Sequence, residues 1–180
     1  MTAMTVQAQD PRISAEEFLT QDYPIGSELI DGVVHVNDAS FRHNRLCGRI
    51  FFELTLWTRS SAGSGDAGEG GNWVLSDGNV YKPDVWWAAH PPDGTRHDGP
   101  PDLAVEVRSP KTWLLDIGRK RDEYRASGVG ELWLVDTPAK TVLVYRKDES
   151  LDDASEVGPG ETLTSALLPG FALPIDELFA

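Results

Sequence analysis

The run Pro101-Asp102-Leu103-Ala104-Val105-Glu106-Val107 constrains this chain more than any other. Side chains alternate between the two faces of a β-strand. Asp102, Ala104 and Glu106 therefore share one face, and Leu103, Val105 and Val107 the other. A carboxylate set mid-strand between valines is destabilising unless it is paired, hydrogen-bonded or coordinating a cation. Asp84 adds a third carboxylate in a second apolar run, after Pro83 and before Val85-Trp86-Trp87. Such hard oxygen donors suit Mg2+ or Mn2+.

A cation lies on the next segment. Trp113, Ile117, Lys120, Tyr124 and Ser127 recur at helical spacing, the pattern of a core-facing stripe. A lysine in such a stripe calls for a carboxylate. A tight turn after the strand brings Lys120 back along the sheet to within roughly 6 Å of Glu106 or Asp84, the range over which charges couple. Two structural alternatives stand beside this: a lysine snorkelling to water, or a helix-surface pair with Asp116 four residues earlier.

The remaining pattern is that of a single α/β (α+β) domain with a mixed central sheet flanked by helices. Residues 1–12 read as a disordered start and residues 13–180 as the domain. Ser14 and Glu17 form a capping box for a short helix. Asp31-Gly32 closes a hairpin over residues 28–36. Leu46, Ile50, Leu54 and Trp57 give the longest helix, over residues 41–59. Residues 61–71 read as a flexible loop, 72–76 and 80–87 as strands, and 89–101 as an irregular crossing. A helix over 112–127 ends at Gly128, followed by a hairpin of 131–136 with 141–146 and an acidic surface loop over 148–160. Leu168-Pro169-Gly170-Phe171 and residues 176–179 form a tail that packs back on the body.

Composition bounds the partners. Cys47 is the single cysteine, so neither an intramolecular disulfide nor a thiolate metal site is expected. Apolar runs are strand-sized, too short for a membrane span, and no signal-peptide core is present. The chain reads as cytoplasmic. A net charge of −13 opposes tight binding to bulk DNA. That charge is uneven: six basic residues against four acidic ones lie between Glu106 and Arg125, whereas residues 148–180 hold eight acidic side chains and no basic one.

Glu28, at the head of the first hairpin, either extends the acidic cluster or is an exposed strand-end charge. His43, before the long helix, is either a proton-transfer group or a hydrogen-bonded structural residue. Asp102 equally suits fixing the loop at Pro101. His35, His90 and His97 lack metal-ligand spacing, and the glycines of 63–71 lack a phosphate-loop pattern.

Six blocks in order carry a family resemblance: Glu28-Leu29-Ile30-Asp31-Gly32; Lys82-Pro83-Asp84-Val85; Pro101 to Pro110; Asp116 to Tyr124; Gly128 to Asp136; and Leu168-Pro169-Gly170-Phe171. With them the chain resembles the Uma2 family of small bacterial proteins assigned as endonucleases, over nearly its whole length. The resemblance implies the restriction-endonuclease-like fold of the PD-(D/E)xK superfamily and magnesium- or manganese-dependent hydrolysis of DNA. It implies Asp84 and Glu106 as metal ligands and catalytic residues, with a backbone carbonyl at Val107 as a further ligand and Glu28 acting through water. Arg108 occupies the position of the superfamily's lysine and cannot serve as a base. The family pattern places the replacement on the following helix, at Lys120. A homodimer cutting both strands is implied by the same analogy. The contrasting reading is a catalytically inactive nuclease-fold binding or assembly module, or a site that is only a stabilising ion-pair network.

Overall fold

The computed structural model describes residues 12–36, 40–75, 78–109, 116–147 and 154–180. Its elements in chain order are α1 (Ala15–Thr20), β1 (Ser27–Ile30), β2 (Val33–Val36), α2 (Phe41–Thr58), β3 (Asp66–Gly68), β4 (Trp73–Val74), β5 (Val80–Tyr81), β6 (Val85–Ala88), β7 (His97–Asp98) and β8 (Leu103–Val107). A π-helical turn (Asp116–Lys120) follows, then α3 (Arg121–Ser127), β9 (Glu131–Asp136), β10 (Thr141–Arg146), β11 (Ser155–Val157), β12 (Thr162–Leu163), β13 (Leu173–Pro174) and α4 (Ile175–Leu178).

The central sheet has six strands in the order β11-β10-β9-β8-β6-β3. β8 and β9 run parallel, and the other pairs are antiparallel, so the sheet is mixed as the sequence implies. Alternation along β8 sorts its residues as expected. Leu103, Val105 and Val107 pack with Trp133, Val135 and the α2 stripe Leu46, Ile50, Leu54 and Trp57. The tail residues Leu168, Phe171 and Leu178 join that layer. Ala104 points the other way, into a layer with Leu132, Leu134 and Tyr124.

Local chemistry explains the well-placed elements. Ser14 and Glu17 form both bonds of the capping box. Asp31 and Gly32, at φ of 52° and 74°, make the two-residue turn of the β1–β2 hairpin, which needs positive φ at both central positions. Gly128, at φ 94°, ends α3 in the left-handed region.

Several boundaries are corrected. The run 80–87 is not one strand. Pro83 has no N–H to give to a ladder, and the Lys82 N–H donates to the Glu28 carboxylate at 2.9 Å. The segment Lys82-Pro83-Asp84 thus leaves β5 in a second sheet, ordered β2-β1-β5-β4-β7, and β6 in the central one. The loop 61–71 contains β3, because Gly68 lets Trp86 lie where a Cβ would stand, 2.3 Å from its ring. Among the described residues of run 72–76, Trp73–Val74 form the strand, the crossing 89–101 contributes β7, and residues 155–157 of the acidic loop form β11. The described part of the segment 112–127 is a π turn over Asp116–Lys120 followed by α3, not a uniform α-helix. Residues 1–11 of the expected disordered start over 1–12, and the stripe residue Trp113, lie outside the described residues. Trp87 is buried and Trp86 half-buried, each edge-on to another tryptophan, Trp57 and Trp73 respectively.

Candidate metal and acid cleft

Where the broken strand leaves a gap between the two sheets, a cavity of about 780 Å³ opens, lined by Asp84, Glu106, His43, Cys47, Glu69 and Lys82 among others. The antiparallel register pairs Val85 with Val105. One step further along both chains brings Asp84 level with Glu106, and the Val107 N–H donates to Asp84 Oδ2 at 2.7 Å. The two carboxylates therefore reach the cavity from neighbouring strands.

Behind Glu106 lies a buried cationic clamp. Lys120 is 1% exposed, with its Nζ 3.0 Å from Glu106 Oε1 and 2.9 Å from Glu28 Oε1. The Tyr124 hydroxyl donates to the same Glu106 oxygen at 3.1 Å. The ammonium also stands over the Tyr81 ring, 5.3 Å from its centroid. Two buried carboxylates around one buried ammonium satisfy the pairing that burial of charge demands. Burial, reinforced by the charges of Glu106 and Glu28, pushes the Tyr124 phenol well above its ordinary pKa. The snorkelling alternative for Lys120 is thereby excluded, and Glu28 lies on the inner side of its hairpin.

On the α2 side, His43 Nε2 stands 3.1 Å from Asp84 Oδ2, while Nδ1 faces Cys47 Sγ at 3.5 Å. Burial disfavours the imidazolium, but the Asp84 carboxylate, Asn44 and the Val107 main chain outweigh it and raise the His43 pKa. Ligand atoms of His43, Cys47 and Asp84 lie within 4.8 Å of one another. Their arrangement is a relay, with a different ring nitrogen facing each neighbour, so one ion cannot take all three without the ring turning. Burial, and the charges of Asp84, Glu69 and Glu106, push the Cys47 thiol far up, which disfavours the thiolate a soft metal would need. The donor set that fits a hard divalent cation is Asp84 with Glu106. Both hydrogen bonds described at Asp84 fall on Oδ2, leaving Oδ1 for such an ion.

Two residues singled out from sequence lie elsewhere. Asp102 is exposed at the far end of β8, and its carboxylate accepts the Ala89 N–H at 2.8 Å. Arg108 reaches Asp136 at 2.9 Å. Conversely, Glu69 and Lys82 were not assigned any role from sequence, although both line the cavity. Glu69 sits in a glycine-rich stretch with no periodicity to mark it, and Lys82 offered only its adjacency to Pro83-Asp84.

The family described as "Uma2: Putative restriction endonuclease" matches residues 15–176. The chain belongs to the Uma2 family. Among solved structures, it is similar to "a putative nuclease belonging to DUF820" from Anabaena variabilis, with a TM-score of 0.81 and 18% identity over 93% of this chain and 97% of that one. At that identity the likeness establishes the fold, which is that of the nuclease neighbour. No curated protein matches the chain. Uma2 membership agrees with the six sequence blocks, all of which lie inside the matched span.

Proposed function

We propose that this Uma2 protein is a magnesium- or manganese-dependent endonuclease hydrolysing DNA phosphodiester bonds. The observation that carries the reading is the Asp84–Glu106 pair, brought level by the β6–β8 register at the wall of one cavity and backed by Lys120. Asp84 and Glu106 would hold the ion, with the Val107 carbonyl as a third oxygen donor. When bound, such an ion polarises the scissile phosphate and lowers the pKa of a coordinated water.

The protein groups have separable tasks. Lys120 and Tyr124 fix one oxygen of Glu106, so that carboxylate cannot swing away from the cavity. His43 orients Asp84 through Nε2, and its raised pKa lets it hold a proton at that carboxylate. Glu28 holds Lys120 and the Lys82 main chain together, tying the metal strand to the clamp. Lys120 thus serves the missing superfamily lysine's place in space, lowering the negative charge around Glu106. A homodimer, with a cleft for each strand of a duplex, completes the proposal, and sedimentation analysis checks it.

A second reading has its own support. Lys120 is fully engaged by Glu28 and Glu106, as in an ion-pair network whose task is to hold the sheets together. The protein would then be an inactive nuclease-fold binding or assembly module. Incubating DNA with magnesium and wild type, Asp84→Ala or Glu106→Ala decides between them. Endonuclease action predicts cleavage by the wild type alone; equal rates in all three remove the mechanism.

A further inference from the structure

The cleft's charges are lopsided. Glu69, Asp84 and Glu106 line it, whereas Lys82 is the only lysine or arginine among the described residues that do. Lys120 is not available to an incoming anion, being buried between two carboxylates. Lys82 differs on each count. No carboxylate among the described residues lies within ion-pair distance of its ammonium, which stands instead over the Phe18 ring at 5.7 Å. Its backbone is fixed, since its N–H is held by Glu28 and the next residue, Pro83, accepts the Gly70 N–H at 3.0 Å. Lys82 is therefore anchored through its main chain two residues from Asp84, at the wall of the cavity.

We propose that Lys82 is the phosphate-contacting cation of this cleft, taking a backbone phosphate of the nucleic acid beside the position held by Asp84 and Glu106. The proposal rests on the nuclease reading for its ligand. A bound phosphate supplies the counter-charge that the apolar Phe18 side does not. The wall beside Pro83 leaves room for a backbone phosphate, because Gly70 and Gly71 take φ of 63° and 80° and a Cβ on Gly70 would meet nothing within 4 Å.

The test is titration of a fluorescently labelled DNA duplex, in calcium over a series of salt concentrations, with wild type, Lys82→Gln and Lys82→Arg. Loss of one phosphate contact predicts weaker binding by Lys82→Gln at every sequence and a salt slope smaller by about 1, restored by Lys82→Arg. Thermal melting of each variant confirms folding, and Lys82→Arg keeps the comparison valid should Lys82→Gln unfold. Equal affinity and slope in wild type and Lys82→Gln overturn the proposal, as does a wild type that does not bind the duplex. Cleavage in magnesium separates this from the nuclease reading. A wild type that cleaves with an unaltered KM in Lys82→Gln removes the role of Lys82 alone, whereas duplex binding that depends on Lys82 without any cleavage removes the nuclease reading alone.

Discussion

Lys120 and Glu106 are 14 positions apart in sequence and 3.0 Å apart in space. The ammonium also holds Glu28, so one lysine joins the first hairpin, the central strand and the helix after it. Removing one partner of a buried ion pair leaves an uncompensated charge and costs about 3–5 kcal/mol. Lys120→Ala should lower the urea midpoint by a corresponding amount. A loss below about 1 kcal/mol, the range of exposed pairs, would show that the clamp is hydrated.

His43 touches Asp84 and not the proposed ion. A partner that orients a metal ligand is worth about 10–100-fold in metal affinity or activity. His43→Ala should weaken manganese binding, read by calorimetry, within that range while leaving some cleavage. Unchanged affinity would reduce the His43–Asp84 contact to a structural bond.

Metal binding to the folded state alone raises its stability by about 2.7 kcal/mol at a hundred times the Kd. Magnesium or manganese should therefore raise the melting temperature of wild type and leave Asp84→Ala unmoved. Equal gains in both would place the ion elsewhere.

Alkali should destabilise the fold. Tyr124 and Cys47 both have raised pKa values, first through burial and then through neighbouring carboxylates, against ordinary values of 10.0 and 9.0. In the native state they keep protons that the unfolded chain releases. Their contribution is complete below pH 9.0 and falls as pH rises beyond it. Unfolding free energy measured from neutral to alkaline pH should decline from that point, and less steeply in Tyr124→Phe. A flat profile contradicts the burial of both groups.

Asp102 lies on the same strand face as Glu106 but at its other end, capping the Ala89 N–H. Asp102→Ala should cost roughly 0.5–1.5 kcal/mol and leave cleavage unchanged. A fall in rate with stability intact would bring Asp102 back into the site.

Much of this was legible in the residues. Alternation along 103–107 and the helical spacing of Lys120 and Tyr124 are local properties, and the two segments lie close together along the chain. The Glu106–Lys120 contact could therefore be expected from rise per residue and from the penalty on buried charge. The β1–β2 turn was equally local, since Asp31-Gly32 tolerates positive φ at both positions.

The rest depended on which sheet each strand enters. Nothing in the run 80–87 shows that Glu28, 54 positions from Lys82, takes the N–H that would have continued the strand. His43 meets Asp84 across 41 positions, and Glu69 reaches the cleft from a loop with no pattern of its own. Sequence by itself determined the faces of β8, the helix stripes and the need for a counter-charge at Glu106, because period and desolvation act on neighbours along the chain. Only the tertiary structure decided that Lys120 is enclosed while Lys82 lines the cavity, because that difference comes from the packing of two sheets brought together by long-range hydrogen bonds.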